Sequence, residues 1–353
     1  MNLLKIGVLL GDDIGLEVVP EAVKVMKAAA AKTGVQIAWS DHAIGKRGHE
    51  LPGHTFPLQT QKELENTDGW LCGPIGHNAY PRNDPTWIMP PVRKRFELYA
   101  NIKPVKSYPN IPSVHKNVDI VFLREVTEGM QSSDTVVAGA GEFRPNNDIS
   151  IGSRVVTRKG ANRVARAAFE IARTRAKKLV TAVHKEPTYR LVCGMFAEEC
   201  RKVAKEFPDV KFNEVLVDGF AMKVTMNPLQ FDVVVTTNQF GDILTDLGAG
   251  IVGGLGLAPG LVCGETQAMA QATHGSAPDI AGKNIANPYA LIMSGQMLLE
   301  WLGRKRNDAK AVEAAALIDR AMAKVIAEQK QLTPDLGGKA STTQMGDAVA
   351  AAV

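Results

Sequence analysis

Short aliphatic and β-branched runs alternate with amphipathic segments of helical length along most of the chain. That alternation restricts the fold more than any other feature of the sequence. Residues 4–10, 35–40, 69–72, 118–123, 179–184, 211–217 and 232–236 read as strands. Residues 17–31, 161–178, 193–207, 288–301, 309–330 and 342–351 read as helices; in the first of them Val18, Val19, Ala22, Val23 and Met26 form one apolar face. Strands separated by helices predict an α/β protein with a largely parallel sheet. Pro and Asn punctuate residues 74–92, which read as a long loop. A length of 353 residues suggests two domains.

Composition excludes several function classes. The charge of +4, from 41 Lys+Arg against 37 Asp+Glu, is small and contains no basic block, so neither nucleic acid nor a membrane surface is an expected partner. Residues 247–264 are uncharged, yet seven glycines and Pro259 make a Gly-rich buried helix and turn a better account than a membrane span. The N-terminal apolar run stops at Asp12 and Asp13 before any cleavage-like site, so no secretory signal is read there. Cys72, Cys193, Cys200 and Cys263 show no Cys-x-x-Cys spacing and read as buried free thiols. A cytoplasmic protein is expected.

The strongest local chemistry lies in Asn238-Gln239-Phe240-Gly241-Asp242-Ile243-Leu244-Thr245-Asp246, which follows the strand at 232–236 and opens a helix. Ligands of open α/β sheets bind at the carboxyl ends of strands. Asp242 and Asp246 are spaced i, i+4, so both carboxylates share one helix face, where an oxygen-loving Mg²⁺ or Mn²⁺ would relieve their repulsion. Two solvated carboxylates in a helix's first turn would account for the same spacing. Arg124, ending another strand, can clamp a carboxylate in bidentate fashion, and Arg93, Arg95, Lys103 and Lys106 add positive charge upstream. Lys185 ends the apolar strand at 179–184 and suits a general base or a snorkelling surface lysine. Gly248, Gly250 and Gly253 satisfy G-x-G-x-x-G in form only. They lie inside the helix that follows a strand, not in the strand–helix turn, so a Rossmann dinucleotide fold is not expected.

Taken in order, these segments resemble the β-decarboxylating dehydrogenases, the isocitrate/isopropylmalate dehydrogenase family, along nearly the whole chain. Gly11-Asp12-Asp13-Ile14-Gly15-Leu16-Glu17 is similar to the family's opening G-D-G-I-G-P-E, and Arg93-Lys94 with Leu98-Tyr99-Ala100-Asn101-Ile102-Lys103-Pro104 to L-R-K … L-Y-A-N-x-R-P. Arg124-Glu125-Val126-Thr127-Glu128-Gly129 resembles R-E-N-T-E-G. The run from His274-Gly275-Ser276-Ala277-Pro278-Asp279 to Asn287-Pro288 resembles the adenosine loop, and Thr333-Pro334-Asp335-Leu336-Gly337-Gly338 the C-terminal T-x-D-L-G-G.

The resemblance implies a two-domain open α/β/α fold. Residues 1–103 and 253–353 would form a discontinuous cofactor domain, and 104–252 an inserted domain with a homodimer interface and an active site shared between subunits. It implies NAD- and Mg²⁺- or Mn²⁺-dependent oxidative decarboxylation of a 3-substituted (R)-malate, a small 2-hydroxy acid. The implied catalytic residues are Lys185 and Asp218, and the implied metal ligands Asp218, Asp242 and Asp246. Arg93, Lys103, Arg124, Trp87 and Met89 would bind substrate. Ile14, His274, Gly275, Ser276, Ala277, Pro278, Asp279 and Asn287 would bind the cofactor, with Asp279 repelling a 2′-phosphate and so favouring NAD.

Departures from the family pattern are equally specific. Gln131 stands where the family has the Tyr that protonates the enol, Pro187 replaces an Asn, Lys103 an Arg, and Asp13 and Leu16 replace Gly and Pro. Tyr80 is one candidate to take over the proton donation. The segment Thr86-Trp87-Ile88-Met89-Pro90-Pro91 matches neither the isocitrate nor the isopropylmalate specificity pattern and is apolar, which suggests an apolar or aromatic 3-substituent. Two other functions fit these departures: oxidation without decarboxylation, and a non-catalytic regulatory subunit of a hetero-oligomer.

Overall fold

The computed structural model describes residues 3–50, 54–76, 80, 89–132 and 135–353. Along the chain the elements are β1 (Leu3–Leu9), α1 (Gly15–Thr33), β2 (Gln36–Asp41), α2 (Lys46–Glu50), α3 (Leu58–Leu64), β3 (Gly69–Cys72), α4 (Met89–Arg95), β4 (Ala100–Lys106), β5 (Asp119–Glu125), β6 (Glu142–Asn146), β7 (Ile149–Gly152), α5 (Arg158–Arg173), β8 (Leu179–His184), α6 (Val192–Ala204), β9 (Lys211–Leu216) and α7 (Val217–Met226). They continue as β10 (Val233–Thr236), α8 (Asn238–Val252), β11 (Leu261–Cys263), β12 (Ala268–Ala270), α9 (Tyr289–Arg306), α10 (Ala309–Glu328) and α11 (Thr342–Ala352). Ten strands form one sheet in the order β2-β1-β3-β12-β11-β4-β5-β10-β8-β9, and β6 and β7 form a separate hairpin. The fold is α/β, as the alternation predicts. Among the described residues no helix is long and apolar enough to cross a membrane.

The sheet is largely parallel, as expected: six of its nine described strand pairings are parallel, and the antiparallel ones gather at its middle. β4 runs antiparallel to β5 and to β11, and β11 antiparallel to β12. Pro104 sits inside β4, yet β11 pairs only with residues 100–102, so the prolyl nitrogen costs no ladder bond to β11. The expected loop at 74–92 gives way to α4 at Met89; residues 77–79 and 81–88 lie outside the described set.

On one side of β4, α1, α9, α10 and α11 bury Val18, Ala22, Met26, Leu298, Ile318 and Met345 around β1. On the other, α5 and α6 bury Val164, Phe169, Phe196 and Val203 against β5, β8 and β10. Helical spacing of these residues is what turns each helix's apolar stripe onto the sheet.

The start of α5 is tied to the end of β5. Thr157, the N-cap of α5, accepts from Gly160 N at 3.0 Å. Its own N–H and hydroxyl donate to Glu128 at 2.9 and 2.7 Å. Burial and the neighbouring Glu125 carboxylate push Glu128 up to about 7. Thr157→Ala removes a helix cap and a side-chain donor to a buried carboxylate, and should cost about 1–2 kcal/mol of unfolding free energy, read from urea denaturation.

Candidate active site

β5, β10 and β8 are parallel, so their carboxyl ends share one edge of the sheet. Antiparallel β4 brings its first residues to that edge: Asn101 lies opposite Arg124 on β5 and opposite Val262 on β11. α8 begins two residues after β10, delivering Asn238, Asp242 and Thr245 to the same place.

Arg124 is the hub. Its guanidinium is buried and cannot shed its charge, so acceptors must surround it. Nε donates to Asn238 Oδ1 at 3.0 Å, and Nη2 to Asn238 Oδ1 at 2.6 Å and Gln131 Oε1 at 2.5 Å. Nη1 forms an ion pair with Asp242 Oδ1. Gln131 closes the ring by donating from Nε2 to Asp242 Oδ2 at 2.9 Å. Glycines make the room: a Cβ on Gly241 would lie 2.6 Å from Arg124 Cγ, and one on Gly129, whose φ is 93°, 2.8 Å from Asn238 Cβ.

Arg124, Arg93, Lys103, Asn101, Gln131, Asp242, Met89, Val262, Gln271, Thr273, His274 and Gly275 are among the residues lining one cavity of about 240 Å³. Burial, then the charge of Arg124, lowers Lys103 to about 7; its Nζ donates to Thr245 Oγ1 at 3.1 Å. The same two causes lower Arg93 to about 10. Burial raises the Asp242 carboxyl, but Arg124, Gln131, Lys103 and Arg93 together outweigh it and the net shift is downward. Asp246, one turn on, is raised by burial, which outweighs Lys103. Asp246 does not line the cavity.

Of the other residues singled out in the sequence, Trp87 lies outside the described residues. Met89 lines the cavity with Ile75, Pro90 and Val262, its sulfur 3.5 Å from Gln271 Nε2. His274 and Gly275 line the cavity too; burial lowers the His274 pKa, and its Nε2 is buried with no partner. Ser276 joins the opening loop, its carbonyl accepting from Ile14 N at 3.2 Å. Ala277 has a φ of 44°, and Pro278 and Asp279 are exposed. Asn287 is engaged at both ends of its amide, with Asp335 Oδ2 and Tyr289 N, each at 2.9 Å.

Lys185 and Asp218 are 2.7 Å apart, Lys185 just past β8 and Asp218 in the first turn of α7, and neither lines the cavity of its own chain. The bond to Lys185 holds Asp218 below the usual carboxylate range. Tyr80, considered above as a proton donor, gives its hydroxyl to Asp12 Oδ2 at 2.7 Å.

Sequence reasoning missed a cluster behind Lys185. His184, Glu186 and Glu214 come close enough to hold a cation. Arg201 already fills that role, bonding Glu186 at 2.5 Å and Glu214 at 2.7 Å, while His184 Nε2 meets Glu214 at 2.9 Å.

Comparison with known proteins decides the family. Residues 5–349 match the family described as isocitrate/isopropylmalate dehydrogenase. The chain belongs to that family. It is 39% identical over 350 residues to the isocitrate/homoisocitrate dehydrogenase of Thermus thermophilus, covering 97% of this chain and 96% of the relative. It is 37% identical to the 3-isopropylmalate dehydrogenase of Archaeoglobus fulgidus, over 98% of both chains. The crystal structure of isocitrate dehydrogenase from Methylococcus capsulatus superimposes with a TM-score of 0.88 at 38% identity, covering 99% of both chains. A dehydrogenase of the isocitrate/isopropylmalate family therefore carries the arginine-centred cavity described above.

Gly241→Ala tests that centre. The new Cβ must push Arg124 off its acceptors, so kcat/KM should fall by about 100-fold, corresponding to the loss of two charge-assisted hydrogen bonds, with a smaller loss of thermal stability. Steady-state kinetics and a melting curve check it.

Proposed function

We propose that this dehydrogenase catalyses the NAD-dependent, Mg²⁺- or Mn²⁺-dependent oxidative decarboxylation of a 3-substituted (R)-malate. The cavity's charge carries the reading: Arg93, Lys103 and Arg124 face one carboxylate, Asp242, among the described lining residues. A 2-hydroxy acid with two carboxylates balances that excess, and the three cations would hold and orient it. Met89, Pro90, Ile75 and Val262 add an apolar wall on which the 3-substituent would rest. The relatives' names span isocitrate, homoisocitrate and isopropylmalate, which differ at that substituent.

The residues fit both groups the reaction requires. Asp242 and Asp246 share one face of α8 and offer the hard oxygen donors that Mg²⁺ or Mn²⁺ takes; with Asp218 of the partner subunit they would hold the ion. Bound there, the ion would polarise the substrate oxygens. The orphaned Nε2 of His274 and the Ile14–Ser276 bond support a dinucleotide along residues 274–287, with Ile14, Gly275, Ser276, Ala277, Pro278 and Asn287 shaping the loop and the exposed Asp279 favouring NAD. Bound NAD would accept the hydride from C2. Lys185 would take the hydroxyl proton as general base, held by Asp218.

Because that pair lies away from its own cavity, the site would be completed by a second copy. Met222 and Met226 on α7, Ile243 on α8, and Phe143, Ile149 and Ile151 on the β6–β7 hairpin are exposed and suit a homodimer interface. The two cores support a cofactor domain of residues 1–103 and 253–353 with 104–252 inserted. Four buried, unbridged cysteines support a cytoplasmic location. A second reading, oxidation without decarboxylation, is favoured by Gln131, whose amide is bound to Arg124 and Asp242 and carries no acidic proton.

A substrate panel of malate, tartrate, isocitrate, homoisocitrate, 3-isopropylmalate and aryl-malates with NAD⁺ and Mn²⁺ tests this. Turnover highest on an apolar-substituted malate, with one CO₂ per NADH, is expected; NADH without CO₂ establishes the second reading, and a strong preference for isocitrate overturns the apolar wall. Lys185→Met should abolish hydride transfer. Lys103 adds a pH signature. Only its charged form holds a carboxylate, and with a pKa of about 7 that form dominates below pH 7 and falls about tenfold per unit above it. The KM for the hydroxy acid should rise accordingly above pH 7, and Lys103→Arg should flatten the rise.

A further inference from the structure

We propose that Asn101 is a binding residue whose side-chain oxygen accepts a hydrogen bond from a neutral N–H or O–H donor on the bound cofactor or hydroxy acid. Asn101 and Lys103 are two apart on β4 and therefore face the same way, into the cavity. Cross-strand pairing sets Asn101 between Arg124 on β5 and Val262 on β11, both of which also line the cavity. Asn101 is only 4% exposed, yet its Oδ1 has no hydrogen-bond partner. An amide oxygen in that state destabilises the fold, and a chain tolerates it where a ligand completes it.

The neighbours do not complete it. Lys103 Nζ is turned to Thr245, and Arg124 donates to Asn238, Gln131 and Asp242. Among the described residues eight buried side-chain atoms lack a partner, and four of them (Arg93 Nε, Asn101 Oδ1, Thr273 Oγ1 and His274 Nε2) belong to residues that line this one cavity. The unmet bonds are concentrated where a polar guest would sit. Carboxylates have no proton to give Asn101, so the three cations take the charged ends of the guest and Asn101 takes a neutral donor. Two such donors arise from the dehydrogenase reading, on which this inference rests for the ligands' identity: the substrate hydroxyl and the carboxamide N–H of nicotinamide.

Asn101→Leu keeps the volume and removes the polar atoms. Because the amide is unmet in the free protein, the melting temperature without ligand should hold or rise, while the KM of one ligand rises about tenfold. NAD⁺ is compared with 3-acetylpyridine adenine dinucleotide, which lacks the carboxamide N–H. If the carboxamide is the donor, the KM for NAD⁺ rises and that for the analogue does not. If the hydroxyl is the donor, the KM for the hydroxy acid rises and the preference between dinucleotides is unchanged. A fall in the ligand-free melting temperature, or all three KM values within twofold of wild type, overturns the proposal. Absence of wild-type turnover with NAD⁺ would instead count against the dehydrogenase reading, and the ligand-free melting comparison would still decide for or against Asn101.

Discussion

The guanidinium of Arg124 is the constraint around which the active-site half of the structure is arranged. It is permanently charged and buried, so the chain must deliver acceptors from several directions at once. Asn238 arrives with the first residue of α8, Asp242 one turn later, and Gln131 from the turn that follows β5. Each of these partners is thereby fixed in turn. Asn238 donates back to the carbonyl of Glu128 at 2.6 Å, closing β5, its following turn and α8 into one polar unit. Gly129 and Gly241 are small because that unit leaves no space for a Cβ.

Placing Arg93 and Lys103 beside Arg124 adds a second consequence. Like charges in a desolvated space disfavour one another, and the group able to give way is the lysine, whose pKa falls to about 7, while Arg93 remains charged with its own at about 10. Among the described residues the cavity thus sets positive charge against a single lining carboxylate, and any dianion that enters is stabilised by the relief as much as by the contacts it makes. The orphaned polar atoms around the same cavity act in the same direction. Binding a ligand and stabilising the fold are here linked through the same residues.

Much of this was legible in the sequence, for reasons that can be stated residue by residue. Val121–Leu123, Val180–Val183 and Val233–Val235 are β-branched and aliphatic runs buried on both faces, and such runs announce parallel strands. Arg124, Lys185 and Asp242 stood out because each follows or ends such a run with a charge. β4 was hidden: Ala-Asn-Ile-Lys-Pro-Val-Lys alternates polar with apolar, carries a proline, and buries its polar face against the cavity instead of exposing it. With β4 unseen, Asn101 lay in a quoted motif without a role, since an amide carries no charge to draw notice. β11 and β12, of three residues each, are too short for any periodicity to show. Asn287 adds something its motif context did not carry: its amide joins the C-terminal loop to the start of α9.

Gln131 brings these threads together. A tyrosine at this position could donate a proton to an enol; a carboxamide cannot, but it has one acceptor and one donor end, and both are used. Oε1 faces the guanidinium and Nε2 faces the carboxylate, an orientation whose reversal would set a donor against Arg124 and an acceptor against Asp242. Gln131 therefore serves as a spacer between the ion pair's partners. Both oxygens of Asp242 accept a hydrogen bond in the free protein, so a cation or substrate that engages this carboxylate shares it with Arg124 and Gln131 or displaces them. Released from Asp242, Arg124 regains a free donor for a substrate carboxylate, and in this way the arrival of one ligand would prepare the site for the other.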